Sequence, residues 1–199
     1  MDLVTGATGH LGNVLVRELL AAGKKVRVLL RPESKHQCLD NLELEKFYGD
    51  ITSLDSVISA CRNVENVYHT AAEISIMPGR SQRLSMVNLQ GTKNIIEACR
   101  INQVKRLLYT SSIHALAETT AGIVIDENTC FDPHNPRGAY DRTKAAASLE
   151  VLKASGNGLE AMVLCPTAFI GPYDYKISFL GQFFLDYAKG NYRFMFNGA

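Results

Sequence analysis

The chain has 199 residues, 46% of them hydrophobic, and a formal net charge of +1. That size holds one domain, or one domain and the start of another, and the weak charge supplies no field for a nucleic-acid backbone or an anionic membrane. Five scattered cysteines show neither paired metal spacing nor a disulfide framework, so no metal site is expected and the expected compartment is a reducing cytoplasm.

In chain order, the opening MDLVTG reads as a buried strand over residues 3–5 that enters a turn, not as a signal peptide. A helix follows over residues 11–20, with Leu11, Val14, Leu15, Val16, Leu19 and Leu20 on one face and Gly23 at its C-terminal cap. Further strands are expected at 26–30, 46–48, 67–71, 107–111 and 161–165, mostly as continuous apolar runs of the kind buried on both faces. Helices are expected over 54–61, 84–101 and 140–154. The stretch 118–138, with Pro133 and Pro136, reads as a long loop. No boundary is visible before about residue 170, where an aromatic-rich helix over 178–189 begins and breaks at Gly190. Its apolar run is interrupted by Gly181, Gln182 and Asp186 and is too short to span a bilayer. The alternation predicts an α/β fold, a doubly wound parallel sheet of the Rossmann type with right-handed crossovers.

The first strand runs into LVTGATGHLG, with Gly6, Gly9 and Gly12 three apart. One glycine permits a tight turn, the next lets backbone approach a pyrophosphate, and the third lets helix and strand pack closely. Thr8, His10 and Leu11 lie between them, so the turn and the helix start together offer N–H groups to phosphates. The plainer alternative is a glycine-rich strand–helix turn. At the end of the second strand, VRVLLRP places Arg31 where an acidic residue would bind the ribose 2′-hydroxyl of NAD. A guanidinium there suits a 2′-phosphate, with no competing carboxylate expected nearby, so NADP(H) is favoured over NAD(H). An ordinary surface Arg is the alternative.

YDRTK puts Tyr140 and Lys144 four apart, on one face of a helix. A fixed ammonium beside a phenol favours phenolate and makes Tyr a usable acid or base. The pair follows a fifth strand ending Tyr109-Thr110-Ser111-Ser112, at the sheet edge where ligands bind in such folds.

TGATGHLG and the order of these landmarks resemble the extended short-chain dehydrogenases/reductases, the superfamily that includes sugar-nucleotide epimerases and dehydratases. Among them VLLRP, VYHTAA and YTSS look most like the dihydroflavonol-reductase-like reductases. The resemblance implies that Ser112, Tyr140 and Lys144 form the catalytic set, with Lys144 also on the cofactor ribose and Ser111 the rival serine. It implies that Asn88 completes a tetrad; a capping or kink-forming role is its alternative and can coexist. It implies cofactor contacts from Asp50 and Ile51 at the adenine, from Ala71 and Ala72 as a close wall, from Thr110, and from Pro166 and Thr167 of CPTAFIGPYD beside the nicotinamide. For Asp50, turn formation before Leu54 stays open. His10 aside, the histidines are read as structural, although His114 lies near Ser112.

The function so implied is reduction of a ketone or aldehyde, or the reverse alcohol oxidation, on a small-molecule substrate. An NAD-dependent sugar-nucleotide epimerase or dehydratase is the alternative enzyme, and a non-catalytic NADP-sensing regulator the alternative outside catalysis. Relatives of this kind continue further, so residues 1–174 are expected as the nucleotide-binding domain and 175–199 as the start of an incomplete substrate lobe. A homodimer through the helices over 84–101 and 140–154 is also implied.

Overall fold

The computed structural model describes residues 1–74, 81–120, 122–156 and 158–192. Six parallel strands, β1 (Asp2–Thr5), β2 (Val26–Leu30), β3 (Glu45–Tyr48), β4 (Asn66–His69), β5 (Arg106–Thr110) and β6 (Glu160–Leu164), form one sheet in the order β3-β2-β1-β4-β5-β6. The direction of winding reverses between β1 and β4, and a crevice opens at the carboxyl ends of those strands. This is the expected Rossmann-type α/β fold.

The two sides of the sheet follow from alternation along each strand. Leu3, Leu29, Val67, Leu107 and Tyr109 face one cluster with Val57 of α2 (Leu54–Ala60), Ile95 of α4 (Gly91–Ile101) and Val151 of α5 (Ala139–Ala154). Val4, Val28 and Leu30 face the other, against Val16 and Leu19 of α1 (His10–Ala21). Each such side chain contributes about 1.5–3 kcal/mol relative to leaving it exposed. Gly23 takes φ +72°, and the N–H groups of Gly23 and Lys24 return to Leu20 and Leu19, which closes α1 as expected.

Burial is less uniform than the apolar runs imply. Every residue of β1 and β2 is buried, but β3 and β6 alternate or lie partly open because they form the sheet's edges. Met162 and Leu164 of β6 are about half exposed. Arg27, a charge inside a buried strand, is satisfied by Glu45 at 2.8 Å and by the carbonyls of Ala60 and Arg62.

The expected single helix over 84–101 is three continuous segments. A short turn, α3 (Ser81–Leu84), runs into a π-helical segment (Ser85–Gln90) and then into α4. Such wide turns carry an extra residue and are frequent at functional sites. β4 ends at His69 instead of residue 71, so Ala71 and Ala72 belong to the following loop. The long loop is pinned at its base, where Ala117 and Asp132 donate to the carbonyls of Cys130 and Ala115. Beyond β6 the chain returns over α1, and Ser178 then caps α6 (Phe179–Ala188), which buries none of its residues. Among the described residues, no helix is long and apolar enough to cross a membrane.

Candidate active site

The turn after β1 is shaped by what cannot fit in it. Gly6 has φ +75°, and a Cβ there would lie 2.7 Å from both the Ala71 nitrogen and the Thr70 hydroxyl. A Cβ on Gly12 would overlap the Gly6 carbonyl. Thr70 Oγ1 donates to the Thr5 carbonyl at 2.7 Å, so the ends of β1 and β4 are latched together beneath the turn. Gly9 occupies the N-cap of α1 and no side chain caps that helix, which leaves its first N–H groups to a ligand.

A groove of about 490 Å³ opens at this turn. Gly6, Thr8 and Gly9 form one end, Arg31, Asp50 and Ile51 lie along it after β2 and β3, and Ala71 and Ala72 form the wall after β4. A glycine cradle, an uncapped helix start and small walls fit a dinucleotide. His10, Leu11 and Gly12 continue into α1, and the His10 ring turns away to the Pro172 carbonyl, 3.0 Å from Nε2. Ser34, Glu73, Arg83, Val87 and Lys176 also border the groove and were not anticipated. Lys176 comes from far along the chain, so no local spacing could have indicated it.

Arg31 does have a carboxylate at hand, since its Nε lies 3.6 Å from Glu33 Oε1 two residues on. Both side chains are well exposed, so the pair holds the guanidinium only weakly. Asp50 forms the turn that was its alternative role: Oδ1 accepts from the Thr52 N–H at 2.8 Å and from its hydroxyl at 2.7 Å. It borders the groove as well, so the two roles are compatible.

At the end of β5, the two adjacent serines diverge. Ser111 is hydrogen-bonded to Ser148 of α5 at 2.7 Å and is committed to the interior. Ser112 Oγ accepts from the His114 N–H at 3.2 Å, and its hydroxyl also bears on the Tyr140 phenol. Burial raises the pKa of that phenol, the Ser112 hydrogen bond partly opposes the rise, and the Asp141 carboxylate adds to it. The neutral phenol is therefore the form held at neutral pH. Lys144 is 2% exposed, donates to the Thr110 carbonyl at 2.6 Å and lies 4.3 Å from the centre of the Tyr109 ring. Burial lowers its pKa to about 7, which the Cys165 thiol partly opposes. The expected lowering of the phenol's pKa by a fixed ammonium is thus not seen; the amine is drawn to the backbone and is itself easily discharged.

Asn88 sits in the π-helical segment. Its Oδ1 accepts from the Glu73 N–H at 2.8 Å, and its Nδ2 donates to the Glu73 carbonyl at 3.0 Å and to Thr143 Oγ1 at 3.2 Å. Thr143 in turn donates to the Tyr140 carbonyl at 2.9 Å. Asn88 therefore joins the groove wall to the helix that carries Tyr140. Behind it, buried His69 bonds Thr5 and Thr92, and burial pushes its pKa down to about 3, so it is a neutral structural ring. Pro166 stays beside the serine loop, where its carbonyl accepts from the Ile113 N–H at 3.1 Å; Thr167 is exposed, and neither borders the groove. His114 is exposed and uses its carbonyl to receive Arg137.

Comparison with known proteins agrees with this fold. The model of the 3-beta hydroxysteroid dehydrogenase/isomerase family matches residues 3–195. "Sterol demethylase protein B" of Methylococcus capsulatus is 41% identical over 197 residues, 99% of this chain and 60% of the relative. A "Putative dihydroflavonol 4-reductase" of Synechocystis is 32% identical over 186 residues, 94% of this chain and 54% of the relative. The likeness to dihydroflavonol reductases is thus real, but the sterol-associated protein is the more similar of the two. The crystal structure of gox2253 superposes with a TM-score of 0.86 at 32% identity, covering 96% of this chain and 58% of that one. The chain spans 60% or less of the length of these proteins.

Proposed function

The chain belongs to the 3-beta hydroxysteroid dehydrogenase/isomerase family of extended short-chain dehydrogenases/reductases, and from that premise we propose that it forms the cofactor-binding part of an NADP(H)-dependent oxidoreductase that reduces a ketone or aldehyde. Residues 1–174 make up the nucleotide-binding domain in this reading, and the segment from 175 begins the substrate lobe. The substrate is a small-molecule carbonyl compound or the corresponding alcohol. The curated names of the relatives favour a bulky, largely apolar one. Pairing of two copies through α4 and α5 belongs to the same proposal.

The observation that carries the reading is a glycine-built groove whose wall residue Glu73 is tied through Asn88 and Thr143 to the helix that carries Tyr140, although Ser112, Tyr140 and Lys144 do not themselves line that groove. The Gly6–Gly12 turn would hold the cofactor's diphosphate, Arg31 the 2′-phosphate, and Lys144 the ribose hydroxyls. A bound nicotinamide supplies the hydride chemistry. Ser112 holds the substrate's carbonyl oxygen, and Tyr140 Oη delivers a proton to it as negative charge develops. A phenol kept neutral by burial suits that donor role.

The full-length protein is assayed with NADPH and a panel of aldehydes and ketones. Tyr140→Phe is expected to lower turnover roughly 10²–10⁴-fold while leaving NADPH affinity intact; unchanged turnover removes Tyr140 as proton donor. Arg31→Ala should weaken NADPH binding about tenfold and leave NADH unaffected. An equal effect on both cofactors overturns the NADP(H) preference. NADPH binding by wild type without turnover of any carbonyl substrate supports the sensor alternative.

A further inference from the structure

Three cations border the nucleotide groove among the described residues, and they differ in what they face. Arg31 lies by Glu33, and Arg83 is paired with Glu73 at 2.5 Å. Lys176 instead meets a hydroxyl: its Nζ donates to Thr8 Oγ1 at 3.2 Å, across 168 positions of sequence. Thr8 is the middle of the turn between Gly6 and Gly9, the part of the groove where a dinucleotide's diphosphate would lie.

The segment that brings Lys176 there is anchored on both sides. The Pro172 carbonyl is 3.0 Å from His10 Nε2, and Arg17 of α1 lies 4.1 Å from the centre of the Tyr173 ring. Arg17 also donates to Tyr175 Oη at 3.3 Å and is itself held by Asn13 and the Cys38 carbonyl. On the far side, Asp174 Oδ2 accepts from both the N–H and the hydroxyl of Ser178. Tyr173 and Ile177 have φ of +67° and +33°, a left-handed backbone that residues with side chains adopt at a cost. The chain is thus bent and fastened so that one exposed lysine falls on the phosphate-binding turn.

We propose that Lys176 is a diphosphate-binding cation of this site, delivered to the glycine turn by the residue 172–178 strap that Arg17 and His10 hold against α1. The assignment rests on the groove being a dinucleotide site. It adds a charge to a turn that otherwise offers N–H groups and a helix dipole, and it makes the cofactor site depend on a segment beyond the sheet.

Three ligands separate the possibilities when titrated into the full-length protein by calorimetry: ADP, NADPH, and adenosine 2′-monophosphate, which has no diphosphate. Lys176→Met should weaken ADP and NADPH about tenfold, as expected for loss of one charge-assisted contact in a partly open site, and leave adenosine 2′-monophosphate unchanged. Lys176→Arg should retain most of the affinity, and Lys176→Glu should lose more than Lys176→Met. Lys176 is exposed, so unchanged melting temperatures are expected throughout. If wild type binds ADP and NADPH but the Met and Glu variants bind them equally well, the lysine assignment is overturned and the cofactor reading stands. Equal weakening of all three ligands also overturns it. If wild type binds none of the three, the cofactor reading fails and takes this inference with it.

Discussion

Replacing Lys144 by Met should stabilise the free protein near neutral pH while abolishing its activity. The amine is buried and its pKa falls from its ordinary 10.5 to about 7. At about 1.4 kcal/mol for each tenfold change, that fall bounds the penalty for burying the charge at roughly 5 kcal/mol. Methionine has similar length and no charge to bury, but it leaves the Thr110 carbonyl without its 2.6 Å donor, at a cost of about 1–3 kcal/mol. The net gain near pH 7 is then at most roughly 2–4 kcal/mol. The pH dependence identifies the cause. The unfolded chain keeps the proton up to about 10.5 and the folded one only to about 7, so between those values the unfolded state binds more protons and wild-type stability rises with pH. Below pH 7 both states hold the proton and the penalty is full and constant. Urea unfolding of both proteins from pH 6 to 9 gives the difference that isolates Lys144. The advantage of the Met variant should be flat below pH 7 and shrink above it, at a slope approaching about 1.4 kcal/mol per pH unit. A difference independent of pH, or a variant less stable at pH 6, refutes the argument that a buried, reluctant ammonium sits at the end of β5.

Gly12→Ala would drive a methyl into the Gly6 carbonyl; it should weaken ADP binding at least tenfold and destabilise the fold by about 1–3 kcal/mol, measured by calorimetry and urea titration. Asn88→Ala cuts the hydrogen bonds that join Glu73 to the Tyr140 helix. It should cost about 1–3 kcal/mol and lower kcat more than it raises KM for NADPH, and an unchanged kcat would reduce Asn88 to a packing role. Ser111→Ala removes a buried bond to Ser148 and should lower the melting temperature while sparing activity, whereas Ser112→Ala loses the bond from the His114 N–H and should cost activity far more than stability. The opposite pattern would exchange the two serines' roles.

What could be read from sequence was what depends on near neighbours. The glycine turn, the Tyr140–Lys144 spacing and the winding of the sheet all follow from periodicity and short-range sterics. Sheet order decides that β3 and β6 lie at the edges, and order is a tertiary property, so their exposure did not show in their apolar composition. The spacing puts Lys144 on the same helix as Tyr140 but does not give its actual hydrogen bond, because the attraction of the Thr110 carbonyl and the Tyr109 ring acts between separate elements. Lys176 reaches the turn only because the chain doubles back over α1. Glu33 was within sight of Arg31 in the sequence, and two-residue spacing across a bend was enough to bring them to 3.6 Å.

The π-helical segment around Asn88 imposes a count on the chain. A widened turn absorbs one residue that an α-helix would not need, while the helical stretches on either side keep their own faces. Deleting a single residue between Ser85 and Gln90 should therefore let the coil rewind without disturbing the seating of Leu84 or Ile95, yet withdraw the amide from its bridge between Glu73 and Thr143. The link between groove and catalytic helix can thus be removed by subtraction from the backbone, where a side-chain replacement would leave the bulge behind.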